Sequence, residues 1–171
     1  MKTEERILII GDTHCPAMHP RYTAFLRDCR NELVPTRVVH IGDLLDFREI
    51  SRFQQNPNRE LFRAELRRAR RQVEALVDLF PRADWVLGNH ELRYYKAAER
   101  SGLGSECLQP ISVLTGVPWR THRSGKLLIR GIEFHHGDQV RSSAFPAAAL
   151  AAARGRHVVL GHHHSKAAAG K

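Results

Sequence analysis

The 171-residue sequence is poor in cysteine and contains no long apolar run. Its three cysteines, Cys15, Cys29 and Cys107, are odd in number and widely spaced. That spacing excludes a disulfide framework or a zinc knuckle and favours a reducing compartment. No apolar stretch approaches the roughly 18 residues that a membrane span requires. Near the N-terminus only Ile7–Ile10 are continuously apolar, which is too short for the core of a secretory signal. The expectation is a cytoplasmic chain with no membrane partner. Acidic residues are also scarce: 18 Asp and Glu face 27 Lys and Arg, for a formal net charge of +9. Such a surface attracts polyanions, whether nucleic acid or phosphorylated substrates; solvated, Arg-rich helix faces explain the same charge. No internal repeat or linker is visible, and the only biased stretches are alanine clusters at 147–153 and 167–169. At 42% hydrophobic, a chain of this length can bury a core without staples, and one domain spanning 1–171 is expected.

What is present is a recurrent pattern. Four short apolar runs each end in a small or polar cluster: Ile7–Ile10 before Gly11-Asp12-Thr13-His14, Val38–Ile41 before Gly42-Asp43, Trp85–Leu87 before Gly88-Asn89-His90-Glu91, and Val158–Leu160 before Gly161-His162-His163-His164. Continuous β-branched runs of this length read as strands buried on two faces. Helical spacing predicts helices over Arg21–Leu33, stopped by Pro35, and over Arg59–Phe80, ended by Pro81 and carrying Arg63, Arg67, Arg70 and Arg71 on its outer face. A third is expected over the alanine-rich Ser143–Arg154. Residues 117–136 break into short runs at Ser124-Gly125 and Gly131, which suggests an antiparallel meander. The alternation gives an α/β fold with a mixed sheet system.

In an open α/β sheet the strand C-termini converge on the edge where ligands bind. That edge would collect Asp12, His14, Asp43, Asn89, His90, His162 and His164, a metal-competent or proton-transferring group after every run. In extended chain, residues two apart point the same way. Asp12 and His14 could therefore share one ion, as could His162 and His164 with a nearby pair, while Thr13 and His163 point elsewhere. The donor set is oxygen and nitrogen, which suits Mn, Fe, Zn or Ni rather than Ca. It exceeds what one tetrahedral ion needs; two ions about 3.5–4 Å apart, bridged by one carboxylate, would use it all. From Phe134-His135-His136-Gly137-Asp138, alternation allows only one histidine to face the edge.

Asp12-x-His14, Gly42-Asp43, Gly88-Asn89-His90-Glu91, His136-Gly137 and Gly161-His162-x-His164, in this order, resemble the five blocks of the calcineurin-like metallophosphoesterase superfamily, and in particular its short bacterial and phage-type members. The similarity runs from about residue 7 to residue 164. The resemblance implies a layered α/β/β/α sandwich of mixed sheets. It also implies two divalent metal ions, with Mn first among the choices, and hydrolysis of a phosphomonoester or phosphodiester by metal-activated hydroxide. Asp12, His14 and His164 would bind one ion, and Asp43 would bridge the two. Asn89, His136 and His162 would bind the other. His90 would contact the phosphoryl oxygen or protonate the leaving group, as suits imidazole. The chain ends seven residues after His164, where members of the family usually continue with further strands, so two expectations stand side by side: a naturally short member, or a truncated one whose sandwich lacks C-terminal strands.

Other residues have two readings each. Asp46 either orients a ligand histidine or caps a helix. His40 reads as a packed core histidine, His135 as a supporting or buried one, and Cys15 either as an oxidisable thiol next to His14 that hinders metal loading or as a small buried or edge residue. His163 touches substrate or solvent. Glu91, Arg93, Tyr94 and Tyr95 either line the substrate side or begin a solvated helix. A nuclease acting on DNA or RNA, and a non-catalytic scaffold that keeps the fold, are the competing functions.

Overall fold

A computed structural model of the chain describes residues 4–53, 60–140 and 145–164. Strands β1 (Ile7–Ile10), β2 (Arg37–His40), β3 (Asp84–Val86) and β4 (Arg120–His122) form a sheet in that order. All its pairings are parallel, with Ile10 opposite His40 and His40 opposite Trp85. A second sheet is mixed. In it, β5 (Lys126–Ile129) and β6 (Ile132–His135) make an antiparallel hairpin, and β7 (Val158–Leu160) lies parallel to β6.

The parallel sheet is apolar on two faces, as its continuous runs predict. Val38, Trp85 and Leu87 face one way. They pack with Leu26 from helix α1 (Tyr22–Leu33) and with Leu66, Val73 and Leu76 from helix α2 (Phe62–Leu79). Tyr95 and Ala98 of helix α3 (Leu92–Arg100) and Ile111 of helix α4 (Ile111–Thr115) are buried too. Val39, Ile41 and Val86 face the other way, onto Ile129 and Phe134 of the second sheet. Helix α5 (Pro146–Arg154) packs beside β7. The result is the expected α/β/β/α layering. Fully burying one such Leu, Val or Phe side chain contributes ~1.5–3 kcal/mol, so the interior of both sheets is a strong organiser of the edge above it.

The helices begin later than their spacing suggests. Helix α2 starts at Phe62, residue 59 lying outside the described residues, and it closes at Leu79. Helix α5 starts with Pro146 in its first turn, where a missing N–H costs nothing; residues 143 and 144 also lie outside the described residues. The expected meander over 117–136 is corrected. Only β5 and β6 are antiparallel, while β4 joins the first sheet beside β3. Asp84 explains the placement: its carboxylate accepts from Arg37 (2.9 and 2.7 Å) and pairs with the His122 ring at 2.7 Å, tying β2, β3 and β4 together. The expected single edge is also corrected, because β7 belongs to the second sheet, so two sheets supply the converging strand ends.

Candidate metal centre

The loops after β1 and β2 continue the parallel ladder beyond the strands. Asp12 N–H donates to Gly42 O (3.0 Å), His14 N–H to Asp43 O (2.9 Å) and Cys15 N–H to Leu44 O (2.8 Å). At these strand ends, and after β7, the backbone is strained. Asp12 (φ 52°), His14 (φ 47°), Asp43 (φ 51°) and His162 (φ 67°) are all left-handed, a conformation that costs a non-glycine residue ~1–3 kcal/mol and collects at functional sites. The expected extended alternation is therefore not what brings Asp12 and His14 together. Left-handed turns on either side of Thr13 do so, and the Thr13 hydroxyl points inward, donating to Leu44 O at 3.1 Å and lying 3.3 Å from His40 Nε2.

The side chains meet in three overlapping groups whose donor atoms lie within 4.8 Å of one another: Asp12, His14 and His164; Asp43, His136 and His162; and His14, Asp43 and His90. His162 and His164 thus separate into different groups, contrary to their expected sharing. Asp12 Oδ1 lies 3.5 Å from His164 Nε2. The Asp12 carboxylate also accepts the His162 N–H at 3.1 Å, which locks the loop after β7 against the loop after β1. His136 Nε2 lies 3.0 Å from Asn89 Oδ1 and 3.3 Å from Asp43 Oδ1, while its Nδ1–H donates to Ile41 O (3.0 Å). Asp43 turns its other oxygen the opposite way: Oδ2 is 3.9 Å from His14 Nε2 and 3.7 Å from His90 Nε2. One carboxylate therefore faces both groups.

Burial resists charge here, yet mutual attraction dominates for two residues. Burial opposes the His136 cation, but the Asp43 carboxylate beside it outweighs this and pushes His136 up to about 9. Burial works against the Asp43 carboxylate too, and the hydrogen bond and charge of His136 nonetheless hold it below its ordinary range. For His14 and His162 burial prevails and lowers the ring. The site fits a cation that would take over these roles. His14 Nε2 is buried with no hydrogen-bond partner among the described residues, and it points at a carboxylate too distant to bond. Backbone crowds the cage: a Cβ on Gly42, itself at φ 109°, would collide with His136 Nδ1, and one on Gly88 would collide with Asp43 Oδ1.

Asp46 is not a helix cap, since Phe47 precedes the short turn Arg48–Ile50. Its carboxylate lies 3.1 Å from His90 Nδ1 and 3.8 Å from His14 Nδ1. His90 Nδ1–H donates to the Asp46 carbonyl (2.8 Å), which leaves Nε2 to accept from the Arg93 guanidinium (2.8 Å). Glu91 was not expected in this role. It is 0% exposed and accepts the N–H groups of Asp43 (2.9 Å), Leu45 (2.9 Å) and Gly88 (2.7 Å), binding the second loop to the third. Burial first, then Asp43, pushes its carboxyl up to about 7. Its place beside the Asn-His pair was the only signal. Cys15 is buried and its thiol is pushed up to about 12 by burial, so it is a packing residue. His40 is buried against Trp119 and is lowered to about 3 by burial. His135 is buried, and burial lowers its ring. Tyr95 packs in the core, with the Arg123 guanidinium over its ring. Beside Asn89 and His162 opens a cleft of about 690 Å³.

The sequence model described as calcineurin-like phosphoesterase matches residues 5–168. No curated protein matches the chain, and no solved structure does. With the five motifs in family order on the ends of two facing sheets, and the match spanning nearly the whole length, the chain belongs to the calcineurin-like phosphoesterase family of metal-dependent phosphoesterases.

Proposed function

We propose that this chain is a dinuclear, metal-dependent phosphoesterase acting as a single domain, hydrolysing a phosphomonoester or phosphodiester in the cytoplasm. The observation that carries the reading is the Asp43 carboxylate, one oxygen of which faces His14 and the other His136. Asp12, His14 and His164 would hold one ion, Asn89, His136 and His162 the other, and Asp43 would be common to them. The donors suit Mn, with Fe, Zn or Ni as alternatives. When bound, the ions would offset charge on the phosphoryl oxygens and acidify a water to a nucleophile at neutral pH.

The residues around the cage have separate tasks. The Asp46 carbonyl and carboxylate fix the His90 ring, and Nε2 faces the cage with a lone pair held by Arg93. Once protonated at Nε2, His90 could stabilise charge on the phosphoryl oxygen or deliver a proton to the departing oxygen as phosphorus is attacked. Arg93, half-buried at the cleft, adds positive charge next to it. Glu91 holds the backbone of Asp43 and Gly88 in place. Three free cysteines agree with a reducing compartment, and none of the described helices is long and apolar enough to cross a membrane.

The test is a panel: Mn-loaded protein against nitrophenyl mono- and diesters and cyclic nucleotides, with elemental analysis. Two equivalents of metal and turnover of at least one ester are expected. Absence of turnover across the panel in fully loaded protein overturns the reading.

A further inference from the structure

The cleft beside Asn89 and His162 is larger than a scissile phosphate requires, and its walls are cationic. Arg93, Lys96 and Arg100 line it from α3 and Arg52 from the segment after Ile50, four cations against two carboxylates, Glu99 and Asp138. Spacings of three and four residues place the α3 cations on one helical face. With a rise of 1.5 Å per residue they form a file about 10 Å long leading away from His90. That is too long for one phosphate to engage at its two ends, so the file suits an anion that repeats. Arg100 is anchored by its bond to Ile50 O (3.0 Å). Phe53, also in the lining, is 65% exposed, with the Arg52 guanidinium 5.2 Å from its ring centre. An exposed ring beside a cationic groove is the combination by which proteins hold unpaired bases and their backbone.

We propose that this cleft binds a single-stranded nucleic acid, with successive phosphates along Arg93, Lys96 and Arg100 and a base stacked on Phe53, and that the bond hydrolysed is a phosphodiester of that strand. This rests on the phosphoesterase reading above. In the reaction, water adds to phosphorus and one P–O bond to a sugar oxygen breaks. That oxygen leaves as a hydroxyl, so one fragment carries a terminal phosphate monoester and the other a free hydroxyl. No redox partner or second substrate is needed.

The test separates binding from hydrolysis. In the first arm, anisotropy of fluorescein-labelled single-stranded DNA and RNA oligonucleotides is measured with the full chain in chelator. K96Q/R100Q, exposed and outside the proposed cage, should weaken binding about tenfold at low salt and flatten the salt slope by about 1.4, the value for two phosphates no longer neutralised on a single strand. F53A should weaken it at least fivefold. R67Q/R71Q, on the exposed outer face of α2, should stay within twofold. Which of DNA and RNA binds more tightly identifies the strand. Equal losses from R67Q/R71Q, tighter binding of duplex, or tighter binding of a phosphopeptide would each overturn the proposal. In the second arm, Mn-loaded K96Q/R100Q should show a raised KM for oligonucleotides with unchanged kcat/KM on bis-nitrophenyl phosphate. Hydrolysis of the small diester without binding or cleavage of oligonucleotides sinks this inference alone. Oligonucleotide binding as described, with no ester hydrolysed, sinks the phosphoesterase reading and leaves the surface assignment standing.

Discussion

Glu91 offers the sharpest test of how the cage is held. Its carboxylate accepts three backbone N–H groups at 2.7–2.9 Å in a fully buried position. In E91Q the amide oxygen can take the place of Oε2 and keep the bonds from Asp43 and Gly88. The NH2 group then faces the N–H of Leu45, so one bond is lost and a buried donor is left without an acceptor, costing ~1–3 kcal/mol. E91A strips acceptors from all three donors and leaves a void, so it should cost more than E91Q, at ~3–5 kcal/mol. The assay is urea unfolding in chelator near pH 4, where the carboxyl, raised to about 7 by burial, is neutral in the folded and unfolded chain alike, so that Glu and Gln differ in their hydrogen bonds and not in charge. Fluorescence of Trp85 and Trp119, each buried, reports the transition. Because the same bonds fix Asp43 and the residue before Asn89, Mn affinity should fall alongside stability. E91Q within ~0.5 kcal/mol of wild type, the scatter of an ordinary surface substitution, would refute the reasoning.

Other outcomes follow from the same geometry. Mn at a hundred times its Kd should raise Tm by about 5–10 °C over chelator-treated protein, because Asp12 and Asp43 gain a counter-charge; an unchanged Tm in thermal scans would contradict the proposed cage. H90A should abolish turnover while elemental analysis still finds full metal content. His40 is lowered to about 3 in the folded protein, so the unfolded chain takes up a proton below its ordinary value of about 6.5 and the folded one does not. Stability should therefore fall by ~1.4 kcal/mol per pH unit below that point from this residue alone. The slope should be shallower by that amount in H40N, measured by urea unfolding across pH. Burial works against the Asp84 carboxylate, yet His122 and Arg37 hold it below its ordinary range. Its contribution is present above the ordinary carboxylate value and lost as pH falls through the depressed one. D84N should cost ~1–3 kcal/mol at neutral pH, and the gap from wild type should close in acid.

The strand ends were legible because burial and chemistry there sit next to each other in the chain: a run buried on two faces must be apolar, and the donors that follow it are not. Asp12 lies beside His164, and Asp43 beside His136, each pair drawn from distant parts of the chain. The hidden parts share a different cause. The left-handed backbone at Asp12 and His14 carries no glycine to announce it. The partners of Glu91 lie up to 48 residues away, so a Glu at a helix start looks like any solvated one. The three-residue strand β4 is followed by a turn that serves a hairpin or a passage between sheets equally well, and the Asp84 contacts that decide between them are long-range. His162 and His164 separate because left-handed φ at His162 interrupts extended alternation.

The division of the cage between two sheets has a mechanical meaning. Asp12, Asp43 and Asn89 ride on one slab, and His136, His162 and His164 on the other, with Val39, Ile41 and Val86 seated against Ile129 and Phe134 between them. Any slippage of the slabs moves three of the proposed donors relative to the rest, so trimming Phe134, which sits between the slabs, should loosen the proposed cage as a whole.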